Sequence, residues 1–116
     1  MINSLGNVKI YVWTQPIDFR KGMNGLVSMI VSQLGLKPFS GAMFIFRSRR
    51  ADRLKLIFWD GSGLVMVVKR LEDRAFSWPT ATNDALSISV SQFQALFEGI
   101  DWRRVVPLRT KTPTDV

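Results

Sequence analysis

The chain has 116 residues, 47% of them hydrophobic and 11% aromatic, which is enough to bury one core and excludes a wholly disordered protein. Sixteen lysines and arginines against nine acidic residues give a net charge of +7, which favours nucleic acid or another polyanion as a partner. The absence of cysteine and histidine excludes disulfides, thiolate chemistry and imidazole ligands.

The N-terminal third predicts one strand followed by one helix. Residues 8–13 alternate in the manner of a half-buried strand and are rich in β-branched and aromatic side chains. Residues 19–34 then carry a single apolar stripe at helical spacing, with Asp18 suited to the N-cap. Gly35 follows directly and suits the left-handed position that ends many helices. This is the longest helix that the sequence predicts.

The middle of the chain predicts a group of consecutive strands. The three clearest are Met43–Arg47, Leu54–Trp59 and Leu64–Arg70. The last two are joined by Asp60-Gly61-Ser62-Gly63, a hairpin turn in which the glycines supply positive φ angles. Shorter strands are predicted at residues 76–78 and near residues 86–88.

The C-terminal part predicts a short helix and a tail. Ser89 and Gln92 have the spacing of a capping box, and the helix that they open runs to Glu98 and is ended by Gly99. We therefore predict one α+β domain over residues 1–103, with a mostly antiparallel sheet, one longer amphipathic helix and a short C-terminal helix. Residues 104–116 lack periodicity and are expected to form a flexible tail.

A basic loop between the first two strands of the central group carries the clearest functional signal. Five cations fall within nine positions, opposed only by Asp52; they are Arg47, Arg49, Arg50, Arg53 and Lys55. The planar guanidinium donates two parallel hydrogen bonds to phosphate oxygens, so this loop predicts a nucleic-acid-binding site. Two alternatives stay open: the arginines pair with Asp52 or with water, or they meet an acidic protein surface.

Arg20 and Lys21 form a second candidate site, at the start of the predicted helix. Cations in a first helical turn oppose the helix dipole, and a bound anion would offset that cost. The alternative is that both side chains extend into water or pair with Asp18. Trp102, which precedes Arg103 and Arg104, is expected at an interface.

The acidic residues do not predict catalysis. A metal-dependent nuclease needs converging carboxylates, whereas Asp18, Asp52 and Asp60 have a cap, an ion pair and a turn to explain them. Glu98 and Asp101 could approach one another, but no third ligand accompanies them. We therefore predict no catalytic residue, metal or cofactor, and keep a nuclease as the least favoured hypothesis.

A series of motifs along the chain resembles one family. They are residues 18–22 (DFRKG), 38–41 (PFSG), 44–53 (FIFRSRRADR), 59–63 (WDGSG), 69–72 (KRLE), 76–79 (FSWP) and 98–102 (EGIDW). In order and spacing they resemble the TnpB (Orf2) accessory protein of the insertion sequence 66 family of bacterial transposable elements, from about Val8 to Arg103. The sequence departs from that family at Val67 and Val68, where aromatic residues are common, and in its tail, which lacks a Pro-Arg-rich ending.

The resemblance implies an accessory role in transposition, beside a separate transposase that carries the catalytic carboxylates. Together with the basic loop it predicts a non-catalytic DNA-binding factor. The alternative is a module that docks on the transposase or on another element-encoded protein. With no apolar run near the ~20 residues that span a bilayer and no recognisable signal peptide, a cytoplasmic protein without membrane contact is expected. Exposed strand edges also allow a homo-oligomer.

Overall fold

A computed structural model describes residues 8–104, in which five strands form one sheet of order β4-β3-β2-β1-β5. The elements are β1 (Ile10–Pro16), α1 (Met23–Met29) with a π-helical continuation (Ile30–Leu34), β2 (Met43–Arg47), β3 (Arg53–Trp59), β4 (Leu64–Arg70), β5 (Ala85–Ile88), α2 (Val90–Phe97) and a 3-10 turn (Trp102–Arg104). The predicted α+β fold is confirmed, and the predicted tail lies outside the described residues apart from Arg104. No helix within residues 8–104 is long and apolar enough to cross a membrane.

The sheet is antiparallel except for one central pair. β1 and β2 are parallel and are connected through α1, while β3, β4 and β5 each run antiparallel to their neighbours. The carboxyl ends of β1 and β2 therefore lie at the same end of the sheet. The loop from β2 to β3 is at that end too, because β3 starts where β2 stops.

Both faces of the sheet are covered, and each has its own apolar core. Alternate residues of β2 point to opposite faces: Met43 and Ile45 join the core beneath α2, whereas Phe44 and Phe46 join the core beneath α1. A strand covered on both faces is apolar at every position, which explains the unbroken hydrophobic run of β2.

The first helix begins later than predicted. Gly22 is its N-cap, and Asp18 instead accepts the backbone N–H of Arg20 at 3.0 Å within a turn closed by Lys21 N–H and Asp18 O, 3.0 Å apart. Asp18 as N-cap and a helix from Phe19 were wrong predictions, because the aspartate closes a turn before the helix. Gly35, with φ of 64°, ends the helical segment as predicted.

Two predictions in the C-terminal half were also wrong. Residues 76–78 form no strand, although Phe76 N–H donates to Ala51 O at 2.6 Å and Trp78 Nε1–H donates to Trp13 O at 2.8 Å. Trp102 is buried in the core beneath α2 and does not lie at an exposed interface. Both segments pack onto the sheet because the burial of their large aromatic side chains there is favourable.

The predicted capping box is present at the start of α2. Ser89 Oγ accepts Gln92 N–H at 3.1 Å, and Gln92 Oε1 accepts Ser89 N–H at 2.9 Å. We expect Ser89→Ala to lower the free energy of unfolding by about 1 kcal/mol, since one helical N–H loses its partner. Urea unfolding followed by circular dichroism measures this. The exposed Ser91→Ala is the control, and equal midpoints for the two variants would contradict the capping role.

Candidate nucleic-acid interface

The parallel pairing of β1 and β2 brings the two predicted basic segments together. Ile17 N–H donates to Arg47 O at 3.0 Å, which holds the residues after β1 against the end of β2. A cavity of about 580 Å³ opens between the two segments. We call it the basic cleft; it is lined by Pro16, Ile17, Asp18, Phe19, Arg20, Ser48, Arg49 and Arg53.

The β2–β3 loop is held in one shape by partly buried hydrogen bonds around Ser48. Ser48 N–H donates to Arg53 O at 3.0 Å, and Ser48 Oγ donates to Asp52 Oδ1 at 3.0 Å and accepts Arg53 N–H at 3.1 Å. The segment after β4 donates to this loop as well, since Leu71 N–H reaches Asp52 O at 2.8 Å. The Asp52 carboxylate, which was predicted to pair with an arginine, thus also accepts a hydrogen bond from Ser48.

Ala51 adopts a left-handed backbone conformation in the middle of this loop, with φ of 57°. This conformation costs a non-glycine residue about 1–2 kcal/mol. Both of its peptide groups are satisfied: Ala51 N–H donates to Ser48 O at 3.0 Å, and Ala51 O accepts Phe76 N–H. The surrounding fold therefore imposes the shape of the loop on this residue.

Arg49 and Arg50 occupy the exposed tip of the loop. Both are exposed, and within residues 8–104 neither guanidinium has an ion pair or a hydrogen bond. Two adjacent cations on a fixed loop, without acidic partners, are available to an external anion.

Arg47 and Arg53 flank the tip and are more constrained. Arg47 Nη1–H donates to Arg49 O at 3.2 Å, and burial lowers the pKa of the Arg47 guanidinium. Arg53 Nε lies 4.0 Å from Asp52 Oδ1, and its guanidinium carbon lies 4.7 Å from the centroid of the Phe19 ring. Arg47 stabilises the loop through its hydrogen bond to Arg49 O, whereas Arg53 forms one wall of the basic cleft.

Arg20 lies on the opposite wall, where it pairs with Asp18. Its Nε–H and Nη2–H donate to the two carboxylate oxygens at 3.0 and 2.8 Å, and this pairing holds the pKa of Asp18 well below its usual range. The Arg20 side chain is still 92% exposed, so solvent screens the pair and a phosphate can compete for the guanidinium. Lys21 is exposed next to it.

Lys55 does not share this exposed surface. It is 7% exposed, and its ammonium donates to Phe19 O and Lys21 O, each at 2.6 Å. The same ammonium lies 4.4 Å from the centroid of the Phe19 ring, and burial lowers the pKa of Lys55. Lys55 therefore ties β3 to the turn before α1, and positions Arg20 and Lys21 through that turn.

Arg70 also lies at the basic end of the sheet. The β3–β4 register places it opposite Arg53, and it pairs with Glu72 at 3.0 Å. Lys69, one residue earlier, points to the other face and donates to Phe97 O at 2.5 Å, at the end of α2. The hairpin turn at residues 60–63 fixes this register, so counting back from the turn would have found the pairing.

The acidic residues of the described part of the chain do not gather into a metal site. Residues 8–104 contain no group of three side chains that could hold a metal ion. Asp101 binds the guanidinium of Arg103 with a shortest distance of 2.9 Å, and Glu98 is the C-cap of α2.

Comparisons with known proteins place the chain in a family. The family model described as "IS66 Orf2 like protein" matches residues 8–107. Two proteins of Sinorhizobium fredii (strain NBRC 101917 / NGR234), "Uncharacterized protein y4jC" and "Uncharacterized protein y4hO", are 45% and 39% identical to the whole chain over 99% of their own lengths. No solved structure matches. The chain therefore belongs to the IS66 Orf2-like family, which indicates an accessory role in insertion-sequence transposition.

Proposed function

We propose that the protein is a non-catalytic transposition factor that binds DNA through the loop tip and the basic cleft. One observation carries this proposal: within residues 8–104, Arg49 and Arg50 are exposed without acidic partners on a loop whose shape the fold fixes. A fixed loop loses little backbone conformational entropy on binding, which lowers the cost of forming arginine–phosphate contacts.

Within this proposal the basic residues have three roles. Arg49 and Arg50 make the primary phosphate contacts. Arg20 and Arg53 in the cleft walls, and the exposed Lys21 next to Arg20, make further ones. Arg47 and Lys55 support the site from inside, because Arg47 Nη1–H and the Lys55 ammonium donate to main-chain carbonyls. The phosphate contacts fix the position of the protein on the duplex and do not read the base sequence.

DNA titration over a range of salt concentrations tests the proposal. Neutralising about four phosphates gives a log–log slope of affinity against salt of about −3.6. Replacing both tip residues, Arg49→Glu with Arg50→Glu, removes about two of these contacts, so the slope should fall to about −1.8. Affinity at 0.1 M salt should drop about 50-fold. A random duplex and an element-end duplex should bind equally, because the contacts are to phosphate.

The matched control places the same charge change at the other end of the sheet. Lys9 and Lys37 are exposed near the start of β1 and before β2, and Lys9→Glu with Lys37→Glu changes the net charge as much as the tip variant does. The control should keep affinity within about threefold. Equal losses of DNA affinity in the two variants would mean that net charge alone causes binding. If the native protein bound no DNA at low salt, DNA binding would be refuted.

The Asp18–Arg20 pair supports a second candidate function. The Arg20 guanidinium binds the Asp18 carboxylate through two contacts of 3.0 and 2.8 Å. An acidic surface of the transposase or another element-encoded protein could bind there in exchange for Asp18. Co-purification of such a partner that survives nuclease treatment and is lost in the tip variant would favour this function over DNA binding.

A further inference from the structure

β4 forms one edge of the sheet and differs from the edge strand on the other side. Within residues 8–104 it pairs with β3 alone, and its first five residues, Leu64–Val68, are all apolar. The opposite edge strand, β5, has only four residues. A long apolar edge offers a row of unpaired peptide groups to another strand, and natural proteins usually protect such an edge with charges, proline or a covering segment.

The hydrogen bonds of the hairpin show which peptide groups of β4 are unpaired. Asp60 N–H donates to Gly63 O at 3.0 Å, and Leu71 N–H donates to Asp52 O at 2.8 Å. Hydrogen-bonded and non-hydrogen-bonded pairs alternate along an antiparallel ladder, so residues 65, 67 and 69 also direct their peptide groups to β3. The outward groups are those of Leu64, Met66, Val68 and Arg70.

We propose that a second copy of this chain pairs its β4 with this edge in antiparallel orientation. If the two-fold axis passes through Val67, Met66 faces the partner's Val68 and Leu64 faces the partner's Arg70. All four outward residues of each strand then form hydrogen-bonded pairs, with about eight hydrogen bonds in total. The side chain of Val68, 53% exposed in the single chain, is covered in this arrangement.

The charges on β4 favour a second copy in this orientation. Lys69 and Arg70 lie at one end of the strand, and no acidic residue lies within it. Parallel, in-register pairing would place each cation opposite the same residue of the partner strand. Like charges directly opposite one another destabilise a strand pair. Antiparallel pairing sets them opposite the partner's uncharged Val65 and Leu64, so the apolar strand is complementary to itself.

Substitutions at Val68 test the interface, because its N–H points away from β3. Val68→Pro removes an outward donor and leaves the β3–β4 ladder intact. Val68→Lys keeps the N–H but puts a charge opposite the partner's Met66. Val68→Thr is the matched control, since it keeps both the N–H and a β-branched shape. Circular dichroism checks the fold of each variant.

Analytical ultracentrifugation at about 100 µM protein gives the outcome. The native chain and Val68→Thr should sediment as dimers, and Val68→Pro and Val68→Lys as monomers of 13.2 kDa. Amide exchange at Met66 and Val68 should slow as native protein concentration rises. A monomeric native chain would overturn the proposal. Folded Val68→Pro and Val68→Lys variants that remain dimeric would also overturn it, and so would a native dimer in which the amides of Met66 and Val68 exchange fast.

Discussion

Replacing Lys55 with glutamate is expected to lower the free energy of unfolding by about 3–5 kcal/mol, because it puts a carboxylate where two carbonyl oxygens converge. Phe19 O and Lys21 O each lie 2.6 Å from the Lys55 ammonium, and both would face a second acceptor in place of their donor. A loss of this size is a large part of the stability of a small domain. Chemical denaturation at neutral pH measures it.

Two further variants separate this effect from a change of charge. Lys55→Met keeps the apolar stem but leaves both carbonyls without this donor, and should cost about 1–3 kcal/mol. Arg50→Glu, at the exposed loop tip, should change stability by no more than about 0.5 kcal/mol. If Lys55→Glu were as stable as Arg50→Glu, the buried position of the Lys55 ammonium would be refuted.

Truncating Phe46 is expected to destabilise the protein by about 3–5 kcal/mol, through lost apolar burial and the cavity left behind. Phe46 is 1% exposed in the core beneath α1, and its ring centroid lies 6.2 Å from that of Trp13. Because Arg47 follows it directly, a cavity here would also loosen the end of β2, which supports the basic cleft.

The same substitution at an exposed phenylalanine provides the control. Phe39 is 56% exposed and touches Trp59 edge-on, with ring centroids 5.4 Å apart. Phe39→Ala should therefore cost only about 1 kcal/mol. Urea unfolding of the two variants under the same conditions gives the comparison, and similar midpoints would contradict the assignment of Phe46 to the core.

The elements that the sequence predicted best are those with strong local signals. β2 and β4 have the predicted bounds, and the Asp60–Gly63 turn and the Ser89 capping box are confirmed. Of the two turn glycines only Gly61, with φ of 105°, has the predicted positive φ. The start of α1 was missed because an aspartate offers the same side-chain acceptor to a helix cap and to a turn. Asp18 closes a turn here, and Lys55, far away in the chain, binds the carbonyls of that turn.

The candidate site was predictable in composition but not in arrangement. Its arginines follow from their density in the sequence, whereas the position of Lys55 depends on which faces of β3 are covered. Leu54 and Leu56 face the core beneath α2, so Lys55 could be expected to face solvent. In fact α1 and the turn before it cover that other face, and the turn provides the carbonyl oxygens for the buried ammonium.

The left-handed Ala51 has a consequence for any attempt to transplant the basic loop. Its carbonyl accepts a hydrogen bond from Phe76, and the neighbouring Asp52 carbonyl accepts one from Leu71, both from a segment beyond β4. The opposite wall of the basic cleft comes from the residues after β1. A synthetic hairpin of residues 44–59 would carry every arginine of the loop and lack both supports. The spacing of the guanidinium groups thus depends on the whole domain, and the isolated hairpin would not reproduce it.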